Sequence, residues 1–99
     1  MKKIKLKIVE VEHLPNGFIG MNYWASKEHK FPFKYPQNTI LILKNLPKSK
    51  RLTTINHEAE EIIQMKYKHH KYHKAHRIAL DVEEYDPDIK KDYVVLKIY

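Results

Sequence analysis

The feature that most constrains the fold is a set of apolar residues at helical spacing in the middle of the chain. When successive residues are placed about 100° apart, these residues share one arc. They are Leu52, Ile55, Ala59, Ile62 and Ile63. The pattern predicts an amphipathic helix over about residues 50–67 that packs this arc against a core. The candidates for its N-terminal cap are Ser49, Thr53 and Thr54.

A second helix is predicted after a break at residues 69–70, where two histidines stand side by side. Beyond the break, apolar or aromatic residues again recur at helical spacing: Tyr72, Ala75, Ala79 and Val82. The Asp-Pro-Asp sequence at 86–88 is expected to end this helix, since the residue before a proline avoids helical geometry.

Three stretches predict strands. Residues 39–43, TILIL, are β-branched and aliphatic, as in a buried strand. Residues 3–12, KIKLKIVEVE, alternate apolar and charged side chains, and a change of phase between Ile8 and Val9 indicates a β-bulge. Residues 92–99, DYVVLKIY, predict a closing strand.

Residues 18–38 follow a Pro-Asn-Gly turn and form an irregular, aromatic-rich insertion. A structureless connection of this length is unusual, so we expect short elements within it, with residues 31–36 as an extended edge. Its rings are Phe18, Tyr23, Trp24, Phe31, Phe33 and Tyr35. Two interpretations stay open, because such rings either complete a small core or form the wall of a binding cleft.

These elements predict an α+β fold, a small sheet packed on two helices, in the order β, insertion, β, α, α, β. A chain of 99 residues with 42% hydrophobic content fits one folded domain, residues 1–99. Absence of cysteine excludes disulfides and thiolate zinc sites. The start of the chain has no signal-peptide pattern and no apolar run has the length of a membrane span, so we expect an intracellular protein.

The predicted first helix contains the sequence His57-Glu58-Ala59-Glu60-Glu61. Residues four apart lie on one helix face, so His57 and Glu61 can offer a nitrogen and an oxygen to one ion. The spacing matches the H-E-x-x-H zinc helix with a carboxylate in place of the second histidine, and Glu58 stands where the general base would be. Zinc needs a third protein ligand, for which His76 is the candidate.

His76 lies on a stripe with Tyr72, Ala79 and Glu83 at the edge of the second helix's apolar face, which allows it to point toward the first helix. However, His57 and Glu61 fall almost opposite the apolar arc of the first helix. That position suits a solvated charged face as well as the lining of a cleft, and the sequence leaves both open.

The segment between the two helices is strongly basic, in a chain with a formal net charge of +7. We name five of its cations the helical patch: Lys66, Lys68, Lys71, Lys74 and Arg77. Such a patch, interleaved with tyrosines, predicts binding to nucleic acid or an acidic protein. The alternative is the solvated outer face of a helix pair.

The chain shows two resemblances, of which the first centres on residues 57–83. The His57, Glu58 and Glu61 pattern, followed by Ala75, His76 and Ala79, resembles small archaeal and phage proteins with an H-E-x-x-E helix and an A-H-x-x-A helix. Their zincin-type sites imply His57, Glu61 and His76 as zinc ligands, Glu58 as the base, and TILIL as an edge strand.

The whole chain, rich in lysine, isoleucine and tyrosine, is also similar to small conserved proteins of filamentous and rod-shaped viruses of hyperthermophilic archaea, such as those of Acidianus. That resemblance implies a thermostable protein of the host cytoplasm or the virion. It carries no assigned function. A compositional bias of this kind also arises in an AT-rich genome.

Overall fold

A computed structural model describes residues 2–81 and 88–98 of the chain. The strands are β1 (Lys2–Val11), β2 (Gly20–Asn22), β3 (Thr39–Leu43), β4 (Asp88–Ile89) and β5 (Tyr93–Ile98). The α-helices are α1 (Tyr23–Glu28), α2 (Lys48–Ile62) and α3 (Tyr72–Asp81), with a 3-10 turn at Pro15–Gly17 and a π-helical turn at Ile63–Tyr67. The α+β class and the predicted order of the main elements are therefore confirmed.

The five strands form one sheet in the order β2-β3-β1-β5-β4. β1 lies at its centre, parallel to β3 and antiparallel to β5. The TILIL strand, β3, is thus an interior strand rather than the edge strand that the zincin resemblance implied. The edge on that side is β2, a three-residue strand inside the predicted insertion.

α2 packs the predicted apolar arc on one face of the sheet. Ile55, Ala59 and Ile62 are at most 1% exposed. They join a core cluster with sheet residues that point toward the helix: Leu6, Ile8, Ile40, Ile42, Val94 and Leu96. Since each fully buried aliphatic side chain contributes about 1.5–3 kcal/mol, this layer fixes α2 over the sheet.

The aromatic insertion covers part of the opposite sheet face. Leu41 alternates with Ile40 and Ile42 along β3, so its side chain points away from α2. It belongs to a second cluster, against which Phe31 and Phe33 pack. The interpretation of the insertion as core-completing is therefore confirmed for these rings, although residues 31–36 form no strand.

The predicted bulge in β1 is wrong. The ladder with β3 continues residue by residue from Lys7 to Val11, through the change of phase. The phase changes because Leu6 and Ile8 belong to the α2-facing cluster while Val9 and Val11 pack against the second cluster. The α2-facing side of β1 is covered up to Ile8 and the opposite side from Val9 onward, so the apolar parity changes where the cover passes from one face to the other.

The helix predicted at 50–67 corresponds to α2 and the π-helical turn, and the break at 69–70 is confirmed, with His69 at a φ of 57°. The predicted N-caps are wrong. Pro47 occupies the cap position, and Thr53 and Thr54 instead donate hydrogen bonds to the Lys50 carbonyl inside the helix. The second-helix residues Val82 and Glu83 and most of the predicted stop at 86–88 lie outside the described residues.

Within residues 2–81 and 88–98, the helices are all too short or too polar to cross a membrane.

The close approach of β2 to α2 depends on Gly20. A Cβ atom on this residue would lie 2.6 Å from Thr54 Cγ2 and 3.0 Å from Glu58 Cγ. We expect Gly20→Ala to lower the free energy of unfolding by about 1–3 kcal/mol through overpacking, measured by urea denaturation. Thr54→Ser, which removes the clashing methyl group, should restore part of the loss.

Gly17→Ala serves as the control, because Gly17 has open space around it and a φ of 75°. Its cost of about 1 kcal/mol comes from backbone strain, and Thr54→Ser should not relieve it. Equal rescue of both glycine variants would contradict the packing explanation.

Candidate metal centre

The candidate site lies where α2, α3 and the β2-α1 junction meet. α2 carries His57, Glu58 and Glu61 on the side that faces these elements, and α3 brings His76 alongside. Glu58 and Glu61 are 5% and 2% exposed. The interpretation of this face as solvated is therefore wrong, because β2 and α3 cover the side of α2 that lies opposite its apolar arc.

Three ligand-type atoms converge at the centre of the site. Glu61 Oε2 lies 2.6 Å from His57 Nε2 and 2.8 Å from His76 Nδ1. The two ring nitrogens are 3.2 Å apart. Among the described residues, these three side chains form a group that could hold a metal ion. We call them the triad.

Hydrogen bonds alone cannot account for all three contacts within the triad. Each ring nitrogen either donates or accepts, so linear hydrogen bonds account for at most two of the three contacts. A cation would meet the lone pairs of all three atoms at once. The point in the plane of these three atoms that is equidistant from them lies about 1.7 Å from each, so a cation would have to lie about 1 Å out of that plane to reach the distance of about 2 Å at which zinc binds histidine nitrogen and carboxylate oxygen.

Asn22 holds both carboxylates in place from behind. Its Nδ2 donates to Glu58 Oε1 at 2.9 Å and to Glu61 Oε1 at 3.1 Å. Its Oδ1 accepts from Ala25 N, which caps α1. Asn22 is fully buried, so all the polar atoms of its amide are used in fixing the site.

The two carboxylates have opposite protonation tendencies. Burial raises the pKa of Glu58 well above its usual value, and the neighbouring charge of Glu61 adds to the rise, against the hydrogen bond from Asn22. Burial also acts to raise the pKa of Glu61, but hydrogen bonds with His57 and His76, the charge of His57 and the bond from Asn22 together lower it. Glu61 therefore carries the negative charge that attracts a cation, while Glu58 holds a proton readily.

The ring of His76 packs against neighbouring aromatic side chains. Tyr72 stacks on its ring with the centroids 5.4 Å apart, and His29 meets the other side of Tyr72 at 4.9 Å. Burial raises the pKa of Tyr72 to about 12, with further contributions from Glu61, Glu58 and Glu28. The Tyr72 phenol thus stays protonated at neutral pH. Stacking limits the rotation of a histidine whose side chain is 40% exposed.

The site opens into a cleft of about 230 Å³. His57, Glu58 and His76 reach it from one side, and Phe18, Ile19 and Gly20 line another. An inner cavity of about 40 Å³ lies between Glu58, Glu61, Tyr72 and His29. Phe18 therefore fulfils both interpretations of the aromatic insertion, since it packs against the second cluster and forms a cleft wall.

The structure brings the three predicted ligands together, with Glu58 beside them in the cleft, whereas the five residues of the helical patch line neither the cleft nor the inner cavity. Its five members are exposed, and Lys66 lies over the rings of Trp24 and Tyr67. Sequence reasoning missed Asn22. An asparagine before a short helix is a recognisable cap, but its bonds to residues 36 and 39 positions away arise from tertiary packing.

No family model matches the chain, and neither a curated protein nor a solved structure matches it. The similarity to proteins of archaeal viruses stays a prediction.

The role of Asn22 is tested by Asn22→Ser, which retains a capping oxygen for α1 but cannot donate to both carboxylates. We expect the free energy of unfolding to fall by about 1–3 kcal/mol, because buried acceptors lose their donor. Urea denaturation measures the loss. The same substitution should cost clearly less in a Glu58→Gln, Glu61→Gln background, and an unchanged cost there would contradict this role.

Proposed function

We propose that the protein is a zinc-dependent hydrolase, with His57, Glu61 and His76 as the zinc ligands and Glu58 as the general base. The observation that carries the proposal is the convergence of two histidine nitrogens on one oxygen of the buried Glu61 carboxylate. Two histidines and one glutamate are a known ligand set of catalytic zinc, which leaves a position for water or substrate. Magnesium and calcium fit less well, since both prefer oxygen ligands.

The surrounding residues have the arrangement that such chemistry requires. Bound zinc would supply a Lewis acid that polarises a carbonyl and lowers the pKa of water. Glu58 precedes the triad residue Glu61 by three positions and lines both the cleft and the inner cavity. Its raised pKa suits a group that passes a proton to a leaving group, and the positive charge of bound zinc would favour the deprotonated form that takes a proton from water.

The remaining side chains orient the reacting groups. Asn22 fixes the carboxylates, so Glu58 faces the cleft without free rotation. Tyr72 holds His76 by stacking and also lines the inner cavity. Gly20 lines the cleft and allows β2 to lie directly against Glu58, because a Cβ atom at this position would contact Glu58.

Zinc binding is tested by titration of the metal-free protein with His76→Ala and His73→Ala as a matched pair. Both histidines lie on α3, but the His73 side chain is 83% exposed and outside the triad. We expect one equivalent of zinc to bind the wild type and His73→Ala equally. His76→Ala should weaken binding by more than about 100-fold, which exceeds the usual effect of an outer-shell residue.

Zinc should also raise the free energy of unfolding of the wild type by about 2.7 kcal/mol when it is present at 100 times its dissociation constant. Equal losses of affinity in the two histidine variants would indicate adventitious binding by surface histidines. That result would refute the metal centre.

Hydrolysis is tested with p-nitrophenyl acetate as a simple carbonyl probe, counting only the zinc-dependent part of the rate. Glu58→Gln should lower this rate by about 100-fold or more at unchanged zinc stoichiometry, since general bases contribute about 10²–10⁴. Glu60→Gln, which alters a neighbouring carboxylate that accepts from Gln64, should leave the rate unchanged. A zinc-dependent rate that survives Glu58→Gln would exclude Glu58 as the base.

A further inference from the structure

A second functional surface lies on the sheet face that points away from α2. Alternate residues of β1 point to this face, and at one end of the strand they are all lysines: Lys3, Lys5 and Lys7. β5 adds Lys97, the direct partner of Lys3 in the antiparallel ladder. All four are exposed. We call them the sheet patch.

The aromatic insertion does not cover this part of the sheet. Phe31 and Phe33 pack against the second cluster, as do Val9 and Val11 farther along β1. Within residues 2–81 and 88–98, no described carboxylate forms an ion pair with a sheet-patch lysine. Lys5 lies over the Tyr93 ring, and the positive charge of the patch is otherwise left to solvent or to a ligand.

The arrangement is unfavourable for the isolated fold. Lys3 and Lys97 stand directly opposite each other, where β-carbons are about 5 Å apart and like charges destabilise a sheet. Along β1 the lysines repeat about every 6.8 Å. A row of cations at this interval can follow the phosphates of an extended nucleic-acid strand, and a polyanion would relieve the repulsion.

An aromatic ring adjoins the lysine row. Lys7 pairs with Tyr93 across the ladder, and Lys5 Nζ lies 4.2 Å from the centre of the Tyr93 ring. A shallow groove of about 290 Å³ runs beside them, lined by Lys5, Lys7, Asn38, Asp92 and Tyr93. Unpaired bases stack on exposed aromatic rings and present edges for amide hydrogen bonds, whereas the bases of a duplex are already stacked.

We propose that the sheet patch, with Tyr93 and Asn38, is a binding site for single-stranded nucleic acid. The sheet patch is better suited to this ligand than the helical patch. Its lysines lie on one face of two neighbouring strands, whereas the cations of the helical patch are distributed over the π-helical turn, the break and α3. The site is independent of the metal centre, which lies on the α2 side of the sheet.

The test compares two triple variants of the full chain. The β1 variant carries Lys3→Gln, Lys5→Gln and Lys7→Gln. The helical variant carries Lys68→Gln, Lys71→Gln and Lys74→Gln. Each removes three positive charges from the same formal net charge of +7. The probe is a fluorescein-labelled oligothymidylate of about 12 nucleotides, within the range that such surfaces cover. Anisotropy gives the dissociation constant between about 50 and 200 mM salt, and circular dichroism confirms that both variants are folded.

We expect the β1 variant to bind at least tenfold more weakly and the helical variant to change less than threefold. The slope of log affinity against log salt should fall by about 2 in the β1 variant, at about 0.7 per lost phosphate contact. Tyr93→Leu should weaken binding by about fivefold or more through lost stacking.

Several results would overturn the proposal. Equal losses in the two triple variants would indicate general charge attraction, and a loss confined to the helical variant would place the site there. An unlabelled duplex that competes as well as the single strand would remove the specificity for unpaired bases. Stronger competition by polyglutamate would identify an acidic protein as the ligand, and undetectable wild-type binding at low salt would exclude the site.

Discussion

The burial of one carboxylate, that of Glu61, determines how the helical half of the molecule is arranged. A charge removed from water is tolerated only where its oxygens find partners, and an unpaired one costs several kcal/mol. Glu61 meets this requirement through His57 and His76 at one oxygen and Asn22 at the other. Those partners come from α2 itself, from α3 and from the β2-α1 junction. The positions of three separate elements are therefore coupled through a single side chain.

Apolar packing and the polar contacts of the site together fix the position of α2. The apolar arc of Ile55, Ala59 and Ile62 sets the height and rotation of the helix over the sheet. That rotation necessarily turns His57 and Glu61 away from the sheet core, toward α3. Gly20 permits β2 to approach closely enough for Asn22 to reach the carboxylates. The site is thus a consequence of how the core packs.

The two faces of the sheet carry different kinds of side chain. The α2-facing side supports a recessed, acidic and histidine-rich centre of the kind that holds a metal ion. The opposite side is divided between an aromatic cover and an open row of lysines on β1 and β5. The net charge of +7 is therefore not spread evenly, because Glu58 and Glu61 are buried at the centre whereas the described lysines are exposed.

Much of the site was predictable because its signals are local. The spacing of His57 and Glu61 and the stripe that includes His76 both follow from helical periodicity, and the structure brings the three side chains together. The α+β class followed from the same periodicities. Asn22 was not predictable, since its contacts span 36 and 39 residues of sequence and depend on how a short edge strand packs. The predicted bulge at Ile8 and Val9 was wrong because alternation alone cannot reveal that the covered face of the sheet changes along β1.

The sheet patch shows a different limit of prediction from sequence. Alternating lysines in residues 3–7 indicate a half-exposed strand, but the sequence does not show that Lys97 lies opposite Lys3 or that Tyr93 lies beneath Lys5. Those relations depend on the register between the first and last strands. Sequence patterns therefore located the histidine-carboxylate chemistry within one segment and missed the surface formed by the two ends of the chain.

The most direct measurement of the central claim is ¹⁵N NMR of the seven histidine side chains during addition of one equivalent of zinc. The triad geometry predicts coordination through Nε2 of His57 and Nδ1 of His76, two different ring positions whose ¹⁵N shifts are readily separated. Both resonances should change together and reach completion at one equivalent, while His69, His70 and His73 stay unchanged. Changes that begin at the exposed histidines, or coordination of both triad rings through the same type of nitrogen, would contradict the metal centre described here.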